Sequence, residues 1–341
     1  MSHPTINRCP GTLAAGFSTY SPAARRRTFQ GNKVSHLLPY LPPQASETDA
    51  EKFRENRKRI SISGVQEKLS LLMEKNQLRL TQPNEQGQFI LKPIPRDVAR
   101  PDLVPANEHL TMQLAQQVYK LNVADSALVF FQNGEPAYIT RRFDLRQDGT
   151  KHRQEDFASL AGKTKQTAGP DFKYEGSYED IASIIRQLVP AYRVELEKLF
   201  SLVIFNYLFS NGDAHLKNFS LIDTAFGDFI LSPAYDLICT RLHVDDSYFA
   251  LKNGLFTDDY ETDSFQVNGF YAYDDFYEFA LKIGLQEKRA VKILNTYRKD
   301  HPATHTLIDN SFLSDDFKEK YRRYYLQRLE MLNNSFRSGT A

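Results

Sequence analysis

From Ser61 onward, apolar and polar residues alternate with the two-residue period of strands. "KLSLLME", a polar turn at Lys75, Asn76 and Gln77, "LRLTQ" and "GQFILKPI" predict three short antiparallel strands. In "NEHLTMQLAQQVYKL" the period changes: Leu110, Leu114 and Val118 recur at helical spacing, which predicts a helix after the third strand. Two apolar runs then flank Asn133-Gly134 in "ALVFFQNGEPAYITRRFDL". That dipeptide suits the positive φ angles of a type I′ turn, so a hairpin is expected. Five strands with one inserted helix thus precede a largely helical remainder.

The strongest helix lies in "ELEKLFSLVIFNYLFSNG". Leu196, Leu199, Phe200, Val203, Ile204, Tyr207 and Leu208 share one face, while Leu202, Phe205 and Phe209 cover most of the rest. Such a helix is expected to be buried nearly all round and to end at Asn211-Gly212. "YDDFYEFALKIGL" and "DDFKEKYRRYYLQRLEML" predict amphipathic helices whose aromatics belong to the core. Residues 1–57 show little periodicity and are rich in Pro, Ser and Arg, so a loosely structured arm is expected there. Within it, the three arginines of "SPAARRRTF" read first as a solvated patch, with contact to an acidic or RNA-associated partner as the sharper alternative.

Composition narrows the class. The chain has 341 residues, 41% of them hydrophobic and 25% charged, and a net charge of +1. This balance gives no global electrostatic reason for direct nucleic-acid binding. Cys9 and Cys239 are too few and too far apart for a disulfide framework or a paired metal motif, so a reducing, cytoplasmic setting is expected. "MSHPTINRCPGTLAAGF" lacks an apolar core of signal-peptide length, and no run approaches a membrane span.

The candidate chemistry follows the buried helix. In "SNGDAHLKNFSLI" and "FILSPAYDLICT", Asp213, Asn218 and Asp236 fall on a loop, the start of a strand and the end of the next. Phosphoryl transfer needs this set: one aspartate to orient an acceptor hydroxyl and take its proton, then an amide and a second carboxylate to hold Mg²⁺ against phosphates. Lys92 in "FILKP" sits on a strand where its ammonium group suits phosphate oxygens, and Glu108 on the following helix is a candidate partner to position it. His215 is either a catalytic-loop residue or a packed imidazole bonded to backbone; the packed role within an active loop is expected. Single residues of these types are common, and their order along the chain is what carries the signal.

With "SISGVQEK" at 61–68, "FILKP" at 89–93, "QEDFASLAG" at 154–162, "NGDAHLKNFSL" at 211–221 and "PAYDL" at 233–237, the chain resembles the HipA family of bacterial serine/threonine kinases, the toxins of toxin–antitoxin pairs. The resemblance implies an α+β, two-lobed, protein-kinase-like fold using ATP and Mg²⁺. It divides the chain into the arm (1–57), a small β-rich N-lobe (58–153) and a larger, mostly helical C-lobe (154–341). Residue by residue, it implies a loop over the phosphates at Gly64, Val65, Gln66, Glu67 and Lys68, and a nucleotide lysine at Lys92. It implies a hinge meeting adenine at Glu155 and Phe157, with Tyr235 also at the nucleotide. It makes Asp213 the proton acceptor, with His215 and Lys217 in the catalytic loop, and Asn218 and Asp236 the metal ligands.

HipA proteins carry a further folded subdomain ahead of these motifs, whereas here "SISG" follows after 60 residues. That is similar to the shorter HipT kinases of HipBST systems. The resemblance then implies a HipB-like DNA-binding antitoxin and a HipS-like small protein as partners. It also implies an aminoacyl-tRNA synthetase as substrate, the tryptophanyl enzyme in particular, and so arrest of translation. Ser61 and Ser63 read most simply as strand-edge hydroxyls, but the resemblance makes them regulatory autophosphorylation sites. A phosphate there would be drawn toward Arg57, Lys58 and Arg59. Two other function classes stay open: a small-molecule phosphotransferase, and a nucleotide-binding pseudokinase acting as a binding module.

Overall fold

The computed structural model describes residues 6–43, 67–95, 98–258 and 260–337. Ser61, Ser63, Gly64, Val65 and Gln66 lie outside the described residues. The chain divides into two compact units that interleave along the sequence. The first comprises residues 1–114, 124–150 and 305–318, the second 115–123, 151–304 and 319–341.

In the first unit, β1 (Leu69–Glu74), β2 (Gln77–Leu80), β3 (Phe89–Lys92), β4 (Ser126–Phe130) and β5 (Pro136–Arg141) form an antiparallel sheet of order β2-β1-β3-β5-β4. Its register sets Leu71 opposite Leu80, Leu69 opposite Leu91 and Lys92 opposite Tyr138. Alternation therefore gathers Leu69, Leu71, Leu78, Phe89, Leu91, Val129 and Ile139 into one core. Helix α2 (Val104–Gln117) follows β3. The β4–β5 turn differs from the expected type I′. Gly134 N–H bonds the Phe131 carbonyl at 2.9 Å, and the positive φ falls on Gly134 (+89°) but not on Asn133. An ordinary turn followed by a left-handed glycine satisfies the same hairpin.

The expectation of a loose arm is corrected for residues 6–43. Helix α1 (Pro22–Phe29) starts where the Ser21 side chain accepts from Ala24 N–H, with Pro22 in its first turn. Cys9, Tyr20, Phe29, Val34 and Leu38 join the core of the sheet. The segment also covers edge strand β4: Leu128 N–H donates to Pro10, Phe130 N–H to His36, and Leu38 N–H back to Phe130. The arginine run is part of this packing. Arg27 lies 3.9 Å from Asp125 and 3.3 Å from Gln113, and Arg25 Nε donates to the Tyr20 carbonyl at 3.2 Å.

The second unit holds a small antiparallel sheet of β6 (Gln154–Asp156), β7 (Ser220–Asp223) and β8 (Phe229–Leu231). Around it the chain runs through α3 (Phe157–Leu160), α4 (Lys165–Ala168), α5 (Tyr178–Leu188) and α6 (Tyr192–Leu208). It continues through α7 (Asp263–Asn268), α8 (Tyr273–Lys282) and α9 (Glu287–Tyr297). Two later helices, α10 (Pro302–Asp309) and α11 (Asp315–Asn333), each cross a boundary of the 305–318 stretch that belongs to the first unit. Helix α6 buries side chains on all faces. It stops at Leu208, short of the expected Asn211-Gly212, and Ser210 takes the left-handed conformation (φ +52°). Asn211 N–H still reaches back to the Asn206 carbonyl at 2.8 Å, so the following loop leaves the helix at a fixed angle.

Candidate active site

In the first unit, Lys92 ends β3 and Glu108 lies on α2. Their side chains are 4% and 3% exposed, and Nζ meets Oε1 at 2.6 Å. An ammonium group this deeply buried keeps its charge only with a counter-charge, which Glu108 supplies. The Lys92 ammonium also sits 5.3 Å from the centre of the Tyr138 ring. Glu67 and Lys68 are half-buried and lead directly into β1.

In the second unit, Asp213 stands on the loop between α6 and β7, its side chain about half exposed at 50%. The loop is held from several directions. Asp213 N–H donates to Asn211 Oδ1 (3.3 Å), and the Asp213 carbonyl accepts from His215 N–H (2.8 Å) and Asn218 Nδ2 (3.3 Å). Asn218 closes a single 3₁₀ turn (Leu216–Asn218) just before β7. Its amide nitrogen is thus turned inward, which leaves its carbonyl oxygen as the free end of the group.

Asp236 lies five residues past β8, later than expected, with φ +57°. A left-handed aspartate is uncommon and marks a constrained position. Tyr235 ties it to the loop: its hydroxyl donates to the Lys217 carbonyl (3.0 Å) and meets Ser220 Oγ (3.1 Å). The residues beside Asn218 and Asp236 are therefore linked, and both donors are hard oxygens of the kind Mg²⁺ accepts. Among the described residues no group of three His, Cys, Asp or Glu side chains could hold a metal alone. A cation here would need phosphate oxygens and water to complete its shell, as Mg²⁺ in nucleotide sites does.

The remaining expected residues take varied places. Burial drives the His215 imidazole down to about 4 despite the pull of Asp213, so the ring is neutral at pH 7 and packs edge-on against Tyr174. Lys217 turns to Asp156, at 3.0 Å. Glu155 is exposed on β6, opposite Leu221 of β7. Phe157 is wholly buried and its N–H is taken by the Phe219 carbonyl at 3.1 Å, so it anchors this segment instead of facing a ligand.

Sequence reasoning missed several supports. Tyr174 donates its hydroxyl to Asp213 Oδ1 at 2.9 Å, and Tyr178 donates to the Ala214 carbonyl at 2.9 Å. Gly212 N–H donates to Thr240 Oγ1 (2.8 Å), and the same hydroxyl donates to Asp246. A Cβ on Gly212 would run into the Asp246 side chain, so glycine is required by close approach. The partners lie tens of residues from the loop, and no local spacing announces them.

Comparison with known proteins gives the following likenesses. The HipA-like C-terminal domain matches residues 60–304. A putative kinase of Haemophilus influenzae is 27% identical over 311 residues, covering 87% of this chain and 89% of that protein. A putative kinase of Sinorhizobium fredii is 32% identical over 200 residues, covering 55% of this chain and 44% of that one. The serine/threonine-protein kinase toxin HipA of Shewanella oneidensis is 27% identical over 239 residues, 64% of this chain and 50% of the toxin. The chain therefore spans about half the length of the last two. Among solved structures, the Shewanella oneidensis HipA, HipB and operator DNA complex matches with a TM-score of 0.62 and 23% identity, over 80% of this chain and 65% of that one. The Helicobacter pylori proinflammatory kinase CtkA matches with a TM-score of 0.50 and 16% identity, over 78% of this chain and 90% of that one. The fold is α+β and kinase-like.

Proposed function

Because the chain belongs to the family defined by the HipA-like C-terminal domain, we propose that it is an ATP-dependent serine/threonine protein kinase, the toxin of a HipBST-like system. The observation that carries this reading is the Asn211–Asn218 loop. It holds a half-exposed carboxylate, Asp213, on a braced turn, with an amide and a second carboxylate linked through Tyr235. In this reading Asp213 orients an acceptor hydroxyl and takes its proton as the oxygen attacks phosphorus. Asn218 and Asp236 hold Mg²⁺. Lys92, paired with Glu108, faces phosphate oxygens, and Gly64, Val65, Gln66, Glu67 and Lys68 cover them. Glu155 and Tyr235 stand on the adenine side, with Phe157 anchoring the end of the strand that carries Glu155. When bound, ATP with Mg²⁺ supplies the transferable phosphoryl group. His215, neutral and packed, shapes the loop.

The proposed acceptor is a serine of an aminoacyl-tRNA synthetase, the tryptophanyl enzyme in particular, whose modification halts translation. The proposed partners are a HipB-like DNA-binding antitoxin and a HipS-like small protein; the likeness to a HipA solved with HipB supports the first. Self-phosphorylation at Ser61 or Ser63 is the proposed control. Induced expression of wild type and Asp213→Asn, with labelled phosphate followed in the extract, tests the whole. Growth arrest and one labelled protein of synthetase size, both lost in the variant, are expected. Equal arrest by both with no labelled protein would overturn the reading in favour of a binding module, and label on a small alcohol would turn it into a small-molecule phosphotransferase.

A further inference from the structure

A carboxylate has two oxygens and a soft terminal torsion, so a base used in proton transfer must have that torsion fixed by something else. Around Asp213 the backbone contacts fix the loop but leave the carboxylate itself free to turn. The one described side-chain donor within hydrogen-bond distance of it is the Tyr174 hydroxyl, 2.9 Å from Oδ1. Burial, and then the Asp213 charge, raise the Tyr174 phenol well above its ordinary value, so it keeps its proton and remains a donor at every working pH.

The residues around Tyr174 are strapped in place. Lys252 N–H donates to the Tyr174 carbonyl (2.9 Å), Asn253 N–H to Gly176 (3.1 Å), Tyr178 N–H to Gly254 (3.0 Å) and Glu179 N–H to Leu255 (3.0 Å). Lys163 Nζ donates to the Glu175 carbonyl at 2.8 Å, and the Lys252 ammonium pairs with the Glu175 carboxylate. On its other side the phenol ring meets the His215 imidazole edge-on, with centroids 5.3 Å apart. A phenol held this way is a fixed post.

We infer that Tyr174 is a positioning residue for the base: by occupying Oδ1 of Asp213 it presents Oδ2 to the acceptor hydroxyl. The inference rests on the phosphotransfer reading above. Its chemistry is orientation alone. Tyr174 neither gives up its proton nor touches the acceptor, and its effect belongs to the chemical step and not to nucleotide binding.

Tyr174→Phe removes the hydroxyl and keeps the ring against His215. The purified full chain would be assayed for transfer of labelled phosphate from ATP to itself and to protein in a bacterial extract. ATP binding would be measured by calorimetry and folding by thermal melting. The expected result is a kcat lower by about 10- to 100-fold, with the KM and binding constant for ATP within about twofold and a near-native melt. A variant with wild-type kcat would overturn the inference and leave the proposed function standing. So would one whose kcat, ATP affinity and melting temperature fall together, since that is a structural role. A wild type that transfers no phosphate to either acceptor would overturn both.

Discussion

The Lys92–Glu108 pair decides more than a surface ion pair would, because neither charge has water to fall back on. Removing the carboxylate leaves its ammonium partner in a site built for a pair. Glu108→Ala is therefore expected to cost about 3–5 kcal/mol of stability, measured by urea unfolding. A second residue-scale effect comes from His109, wholly buried on α2. Burial pushes its imidazole from the ordinary 6.5 down to about 3. Between those values the unfolded chain binds a proton that the folded chain refuses, so stability is full above about pH 6.5 and drains as pH falls toward 3. His215 acts with the same sign over the narrower span down to about 4. Urea midpoints at pH 7, 5 and 4 are expected to fall steadily in wild type and less steeply in His109→Gln; equal slopes would remove His109 as the cause.

At the scale of elements, helix α6 and the strands of the first unit stood out in the amino-acid pattern because their signals are local. Period two made β1, β2 and β3 visible, the Asn133-Gly134 turn between two apolar runs made β4 and β5 visible, and an apolar run around the whole cylinder made α6 visible as a buried helix. Phe205 shows what that burial is for: its ring meets Phe209 at 4.6 Å and Tyr119 at 5.6 Å. Phe205→Ala is expected to cost about 3–5 kcal/mol, seen as a lower midpoint in denaturant. The details that depart from the sequence pattern are those that contacts settle. The hairpin glycine alone takes the positive φ, α6 ends at Leu208, and the arginine helix α1 folds because the core beneath it takes up Phe29 and Ala24. In isolation its composition reads as a loose arm.

At the scale of the molecule, each unit is assembled from distant stretches of chain. In the first unit the Arg8 guanidinium donates to the Ser311 carbonyl at 2.8 Å and lies over the Phe312 ring, which packs against Phe130 at 5.7 Å. In the second, Tyr119 stacks on Tyr297 at 4.8 Å. A fragment of residues 1–150 lacks the 305–318 stretch and exposes Tyr119, so it is expected to be insoluble or to unfold without a cooperative transition by circular dichroism. A soluble fragment with a sharp melt would show that the late stretch is dispensable. The succession of strands along the chain, the buried helix and the spacing of Asp213, Asn218 and Asp236 were legible in the sequence alone, because periodicity and short spacing are properties of neighbouring residues. Glu108 is legible in the sequence as a candidate partner for Lys92, and the structure makes that pair; the Tyr174 bond to Asp213, the Asp246 support under Gly212 and the membership of each unit were decided only by tertiary structure. The contacts behind these last three join residues from 34 (Gly212 to Asp246) to 303 (Arg8 to Ser311) positions apart, a distance over which no local pattern acts.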